Sequence, residues 1–145
     1  MGSQSVSVSR VIAQPAERIF DLLADPAAHQ RIDGSGSVKY EVDGPDRLEL
    51  GSKFRMGMKL GVPYRMTSTV KEFEEDKLIA WAHLGRHRWR YELEAVEGGT
   101  RVTETFDWSY SLWPKGLEIL GYPKRHPASM EQTLRNIESI LASNE

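Results

Sequence analysis

Hydrophobic and polar positions first alternate between Ser5 and Ala13, where Val and Ile are interleaved with Ser in the two-residue period of an extended strand. Pro15 predicts a helix start, and Ala16, Ile19, Phe20 and Leu23 then fall at helical spacing on one buried stripe. Asp25 and Pro26 restart the pattern as a cap and first helical residue, which predicts a short second helix ending by Asp33-Gly34. From Val38 to Tyr110 the alternation returns in short runs, separated by turn chemistry at Asp43-Gly44-Pro45, near Gly61, at Glu75-Asp76, at Gly85 and at Gly98-Gly99. Connections this short predict a meander of about six antiparallel strands, because parallel pairing needs long crossovers. Pro114, Pro123 and Pro127 punctuate an apolar passage. Met130, Leu134, Ile137 and Leu141 then mark one side of a long final helix, and Ser129 with Gln132 has the spacing of a capping box. A sheet with one apolar face needs a cover, and this helix is the element long enough to supply it, so the pattern predicts an α+β domain.

The strand faces carry the functional signal. In RHRWRYELEA, Arg86 to Ala95, one half is Arg86, Arg88, Arg90, Glu92 and Glu94, and the other is His87, Trp89, Tyr91, Leu93 and Ala95. Elsewhere Phe54, Met56, Met58 and Leu60 share a face, as do Ile79, Trp81 and His83. The strand from Pro63 to Phe73 has an open phase, because one residue of slip at Gly61 exchanges its faces; the preferred assignment turns Tyr64, Met66, Ser68 and Val70 inward. Val102, Glu104, Phe106, Trp108 and Tyr110 make the inner side of the last strand. Inward aromatics are ordinary core filler, yet Tyr, Trp, Met, His and Glu together specify a closed core less well than Leu, Ile and Val. The set therefore predicts a lined cavity, with Met130 and Leu134 of the final helix as its roof. Glu104 is the odd member: a carboxylate among aromatics must find a donor or take up a proton, and His87, Tyr91 and Tyr64 are the candidate donors.

Length and charge narrow the partners. The 145 residues suit one domain, and a formal charge of −2 gives no attraction to nucleic acid, which draws its strength from clustered Lys and Arg. Cysteine is absent, which excludes disulfides, thiolate zinc sites and a cysteine nucleophile. The start MGSQSVSVSR lacks a secretory pattern, Val6 stands where myristoylation needs Ser or Thr, and no apolar run reaches membrane-spanning length. These features predict a cytoplasmic chain with no membrane insertion. His83 and His87 bracket a hairpin but lack the third ligand that zinc requires, so neither a metal nor a cofactor is expected. His29 and His126, beside proline-containing helix starts, are expected to be exposed. IDGSGSV, Ile32 to Val38, lacks the Lys and the setting of a phosphate loop and is read as a turn near the cavity mouth. SLWPKGLEILGYPKRHP, Ser111 to Pro127, offers an apolar side for a lid or for a second copy in a homodimer.

The stretches VIAQPAERIFDLLADPAAH, RHRWRYELEAVEGGTRVTETFDWS and MEQTLRNIESIL together span nearly the whole chain. In them the sequence resembles the helix-grip superfamily (SRPBCC), which includes START domains, the birch-pollen-allergen type and the bacterial polyketide cyclase/dehydrase group. The resemblance implies a curved seven-stranded antiparallel sheet gripping the last helix, with an apolar tunnel between them. Such likeness licenses a pocket and not a reaction. Three functions stay open: binding of a hydrophobic small molecule such as a lipid, polyketide or aromatic metabolite; a cyclase or dehydratase using Glu104 or His87 to move a proton; and a non-enzymatic protein-partner module.

Overall fold

The computed structural model of the chain describes residues 5–33, 38–60, 62–82, 88–109 and 122–143, with side chains described at 5–29, 31–33, 44–57, 67–82, 88–109 and 127–143. Strand β1 (Ser5–Ile12) leads into α1 (Ala16–Leu23), a 3-10 turn (Pro26–Ala28) and α2 (His29–Ile32). Six strands follow, β2 (Val38–Asp43), β3 (Lys53–Leu60), β4 (Val62–Glu74), β5 (Leu78–Ala82), β6 (Arg88–Val96) and β7 (Gly99–Asp107), and α3 (Tyr122–Ser143) closes the chain. All strand pairs are antiparallel, in the order β1-β7-β6-β5-β4-β3-β2. The meander therefore ends by pairing its last strand with the first, and α3 lies across the β1 and β7 end of the sheet. This is an α+β helix-grip architecture.

Local chemistry explains these elements. The serines of β1 alternate outward and meet the threonines of β7: Ser7 Oγ lies 2.8 Å from Thr105 Oγ1 and Ser9 Oγ 3.0 Å from Thr103 Oγ1. Val6, Val8 and Ile12 thereby face the helix side, where cross-strand packing stabilises the pair. Helix α1 buries Ile19, Phe20 and Leu23. The Asp25 carboxylate accepts from the Ala27 N–H at 3.0 Å and fixes the tight turn at Pro26. The predicted second helix is thus shortened to a 3-10 turn followed by a single helical turn.

The phase of β4 follows from its register. Met56 pairs with Met66, Met58 with Tyr64 and Phe54 with Ser68, so these positions share a face of the sheet. A bulge between Val70 and Glu72 then exchanges faces, which puts Glu72 outside and turns Phe73 toward Phe20, with ring centroids 5.5 Å apart. On the outer face Glu72 accepts from Arg88 at 2.8 Å and from Arg90 at 2.9 and 3.2 Å. Part of the polar half of RHRWRYELEA is therefore an ion-pair cover over the buried Ala80 and Ala82.

Helix α3 departs from the expectation at its start. It begins at Tyr122, so Ser129 is an interior residue whose carbonyl accepts from Thr133 Oγ1 at 3.0 Å, and Pro127 lies inside the helix. The capping-box reading of Ser129 and Gln132 is corrected accordingly: proline near a helix start loses one backbone bond but already has helical φ, so it did not have to mark the boundary. Met130, Leu134, Ile137 and Leu141 are buried as the stripe predicted. Arg10 of β1 donates to Glu138 Oε1 at 2.8 Å, and Asn136 Nδ2 donates to the Ile32 carbonyl at 3.1 Å, tying α3 to the first strand and to α2.

Candidate functional site

The inner face of the sheet carries two hydrophobic clusters. One joins Phe20, Phe54, Val70, Trp81, Tyr91 and Val102 to Leu134 and Ile137 of α3. The other joins Phe106, Trp108 and Met130, with Trp89 packed against both. Along β7, Val102 belongs to the first cluster and Phe106 to the second. Glu104 occupies the inward position between them, at the seam.

Alternation and register place Glu104 there without any special backbone. Tyr91 is its direct partner on β6 and Val8 its partner on β1, so all three point to the helix side. Glu104 is 2 % exposed and Tyr91 4 %. The Tyr91 hydroxyl is the donor neighbouring the carboxyl group, while Glu104 Oε1 is buried with no hydrogen-bond partner among the described residues. Burial pushes the Glu104 carboxyl well above the usual carboxylate range; the Tyr91 hydrogen bond opposes this, and the negative charge of Asp33, just past α2, adds to it. Burial, together with the neighbouring Glu104, also raises Tyr91 far above the ordinary phenol, so it remains a donor. The seam therefore holds a carboxyl that favours its proton and a phenol that keeps its own.

The other predicted site residues distribute around this pair. Phe106 stacks toward Trp89 and Trp108, with centroids 4.6 and 5.8 Å away. Trp81 lies 5.4 Å from the Tyr91 ring and 5.8 Å from Phe54, and Met56 is buried in the same cluster. Leu134 and Met130 approach from α3, one in each cluster. The side chains of Met58, Tyr64 and Met66 lie outside the described residues, as do His83, His87, Tyr110, His126 and the 111–121 segment. The expectations that placed His87 or Tyr64 beside Glu104, that made 111–127 a lid or an interface, and that put a turn within 32–38 by the cavity mouth fall largely there too, except that 122–127 open α3.

At the site, the expectation for His29 is overturned. His29 is buried, not exposed: its ring stacks on Trp81 at 4.7 Å and 23°, meets Phe54 edge-on at 5.2 Å, and Nε2 lies 2.9 Å from the Leu23 carbonyl. A carbonyl can only accept, so Nε2 carries the proton. Burial lowers the His29 pKa, and its bond to Leu23 opposes this. The cause of the burial is the Asp25 turn, which aims positions 26, 29 and 32 inward together. Pro26, His29 and Ile32 are all buried, and that three-residue spacing was the available signal. Asp33 was also missed as a neighbour of the pair.

Among the described residues no group of three or more His, Asp or Glu side chains could hold a metal ion, and no helix is long and apolar enough to cross a membrane. A concavity of about 650 Å3 lined by Ala16, Asp76, Leu78, Leu93 and Arg101, among others, includes none of the predicted site residues.

Residues 3–141 match the protein family described as polyketide cyclase/dehydrase and lipid transport. The chain is 42 % identical over 147 residues to the uncharacterised protein Rv0088 of Mycobacterium tuberculosis (strain ATCC 25618 / H37Rv), across 97 % of this chain and 66 % of that protein. It thus spans just under two-thirds of the length of this relative. Among solved structures, a protein of Rhodobacter sphaeroides superposes with a TM-score of 0.74 at 20 % identity, covering 99 % of this chain and 95 % of that one. The AHSA1-like protein of Aeromonas hydrophila gives 0.65 at 21 %, covering 94 % and 93 %. At such identities these two establish a shared fold and nothing further.

Proposed function

We propose that this chain, which belongs to the polyketide cyclase/dehydrase and lipid transport family of the helix-grip superfamily, binds a hydrophobic small molecule between its sheet and α3. The observation that supports this most is the seam: a buried carboxyl with one oxygen unpartnered among the described residues, a phenol donor beside it, and aromatic clusters on either side. An apolar site with few polar groups is the usual design for such ligands, apolar contact supplying affinity and the polar pair orientation. Burying ligand surface against Trp89, Phe106 and Trp108 gains roughly 25 cal/mol per Å2. Phe54, Met56, Met58, Tyr64, Met66, Trp81, His87, Met130 and Leu134 complete the proposed lining.

Trp89 is the test position, because it is half-buried and touches both clusters. Trp89→Arg puts a charge at the seam and is expected to lower uptake of the apolar fluorescent probe phenylnaphthylamine at least about tenfold, since an unpaired charge excludes an apolar guest. Circular dichroism of the variant should retain the fold. Probe uptake equal to that of the parent chain would contradict the proposed site.

A second reading has its own support. A carboxyl that burial makes hold its proton more tightly can act as a general acid, so Glu104 is the candidate for a cyclase or dehydratase step on a ketone-bearing ligand. Turnover of a poly-β-ketone mimic that is lost in Glu104→Gln would favour it, and full retention would remove Glu104 from any mechanism.

A further inference from the structure

Resting on the binding function proposed above, we infer that Glu104 and Tyr91 select the head of the ligand: the seam takes an uncharged oxygen acceptor, such as a ketone or quinone carbonyl, in preference to a carboxylate or an ammonium ion. The geometry comes first. Tyr91 is the phenol directly opposite Glu104, and Oε1 of the carboxyl is enclosed without a partner among the described residues. A buried polar atom left unsatisfied costs free energy, so a partner supplied by a ligand accounts for its retention. With Tyr91 placed to donate to the other oxygen, the carboxylic proton belongs on Oε1, which then donates to whatever oxygen reaches it.

Charge excludes the alternatives. Among the described residues, Tyr91 of β6 and Val8 of β1 stand directly opposite Glu104, and the charge of Asp33, just past α2, acts on it. Arg10, two residues past Val8 on β1, is held by Glu138 of α3 at 2.8 Å. A ligand carboxylate would therefore enter beside Asp33 with the described neighbouring cation already engaged. An ammonium ligand would need Glu104 ionised, which burial and Asp33 both resist.

The test uses four naphthalene probes of similar size on the full chain, by equilibrium dialysis: methyl naphthyl ketone, naphthoate, naphthylmethylamine and ethylnaphthalene. The ketone is expected to bind about tenfold more tightly than ethylnaphthalene, and naphthoate more weakly than either, since one additional hydrogen bond is worth about a factor of ten. Glu104→Met should bring the ratio of ketone to ethylnaphthalene affinity down to about one. Glu104→Gln, whose amide still donates, should keep the advantage. Raising the pH should weaken ketone binding by the parent chain, as Glu104 loses its proton, but not by Glu104→Gln. Equal binding of ketone and ethylnaphthalene, or tightest binding of the amine or of naphthoate, would overturn the headgroup assignment while leaving a hydrophobic site standing. If no probe binds, the hydrophobic site itself fails and the assignment with it.

Discussion

Glu104→Gln is expected to be more stable than the parent chain, by a margin that grows with pH. The folded state holds the Glu104 proton more tightly than the unfolded chain does, because burial raises the carboxyl above its ordinary value. The favourable linkage is fully present below the unfolded pKa of about 4.3 and is lost as pH rises through the folded value, at up to about 1.4 kcal/mol per pH unit. Glutamine cannot ionise and escapes this loss. His29 works in the opposite sense: its folded pKa is lowered, so stability falls as pH drops below the unfolded value of about 6.5. The two slopes partly cancel in the parent chain, and the difference between variant and parent isolates Glu104. Urea unfolding at several pH values from about 4 to 9 should show that difference rising from near zero. A flat difference would mean that the carboxyl is hydrated or ionised in the folded chain.

Gly99→Ala is expected to cost about 4 kcal/mol or more, a large part of the stability of a domain this size. Gly99 opens β7 at φ 145°, and an added Cβ would stand 2.0 Å from the Ile12 carbonyl oxygen, at the end of the β1–β7 ladder. Neither a side-chain rotation nor a small shift relieves a clash with paired backbone. Gly51 separates strain from clash: it has φ 85° but open space around its Cβ direction. Gly51→Ala should therefore cost only the left-handed backbone penalty of about 1 to 2 kcal/mol. Chemical denaturation of both variants checks the pair, and equal losses would assign the whole effect to φ.

The sequence announced periodic features and concealed those set by turns. Val102, Glu104 and Phe106 could be placed on one face from alternation alone, and Met130, Leu134, Ile137 and Leu141 from helical spacing, because burial imposes those periods directly. The pairing of Glu104 with Tyr91 was only one of three candidates, since choosing among them requires inter-strand register, which the lengths of remote hairpins decide. The shift of Phe73 to the inner face depends on a bulge without a sequence signature. His29 was misplaced because a polar residue beside Pro26 reads as surface, whereas the capped turn points it at Trp81. Asp33 joined the site for the same reason: its place follows from where α2 ends against α3, through Asn136 and the Ile32 carbonyl.

The proposed function requires that the space between the sheet and α3 accommodate an apolar guest around Glu104. Native mass spectrometry of the freshly purified chain tests it most directly. The proposed function predicts a mass exceeding that of the polypeptide by one small molecule, which organic solvent releases and which Trp89→Arg fails to retain. A parent chain that carries only its polypeptide mass, and still shows no adduct after incubation with methyl naphthyl ketone and ethylnaphthalene, would contradict it.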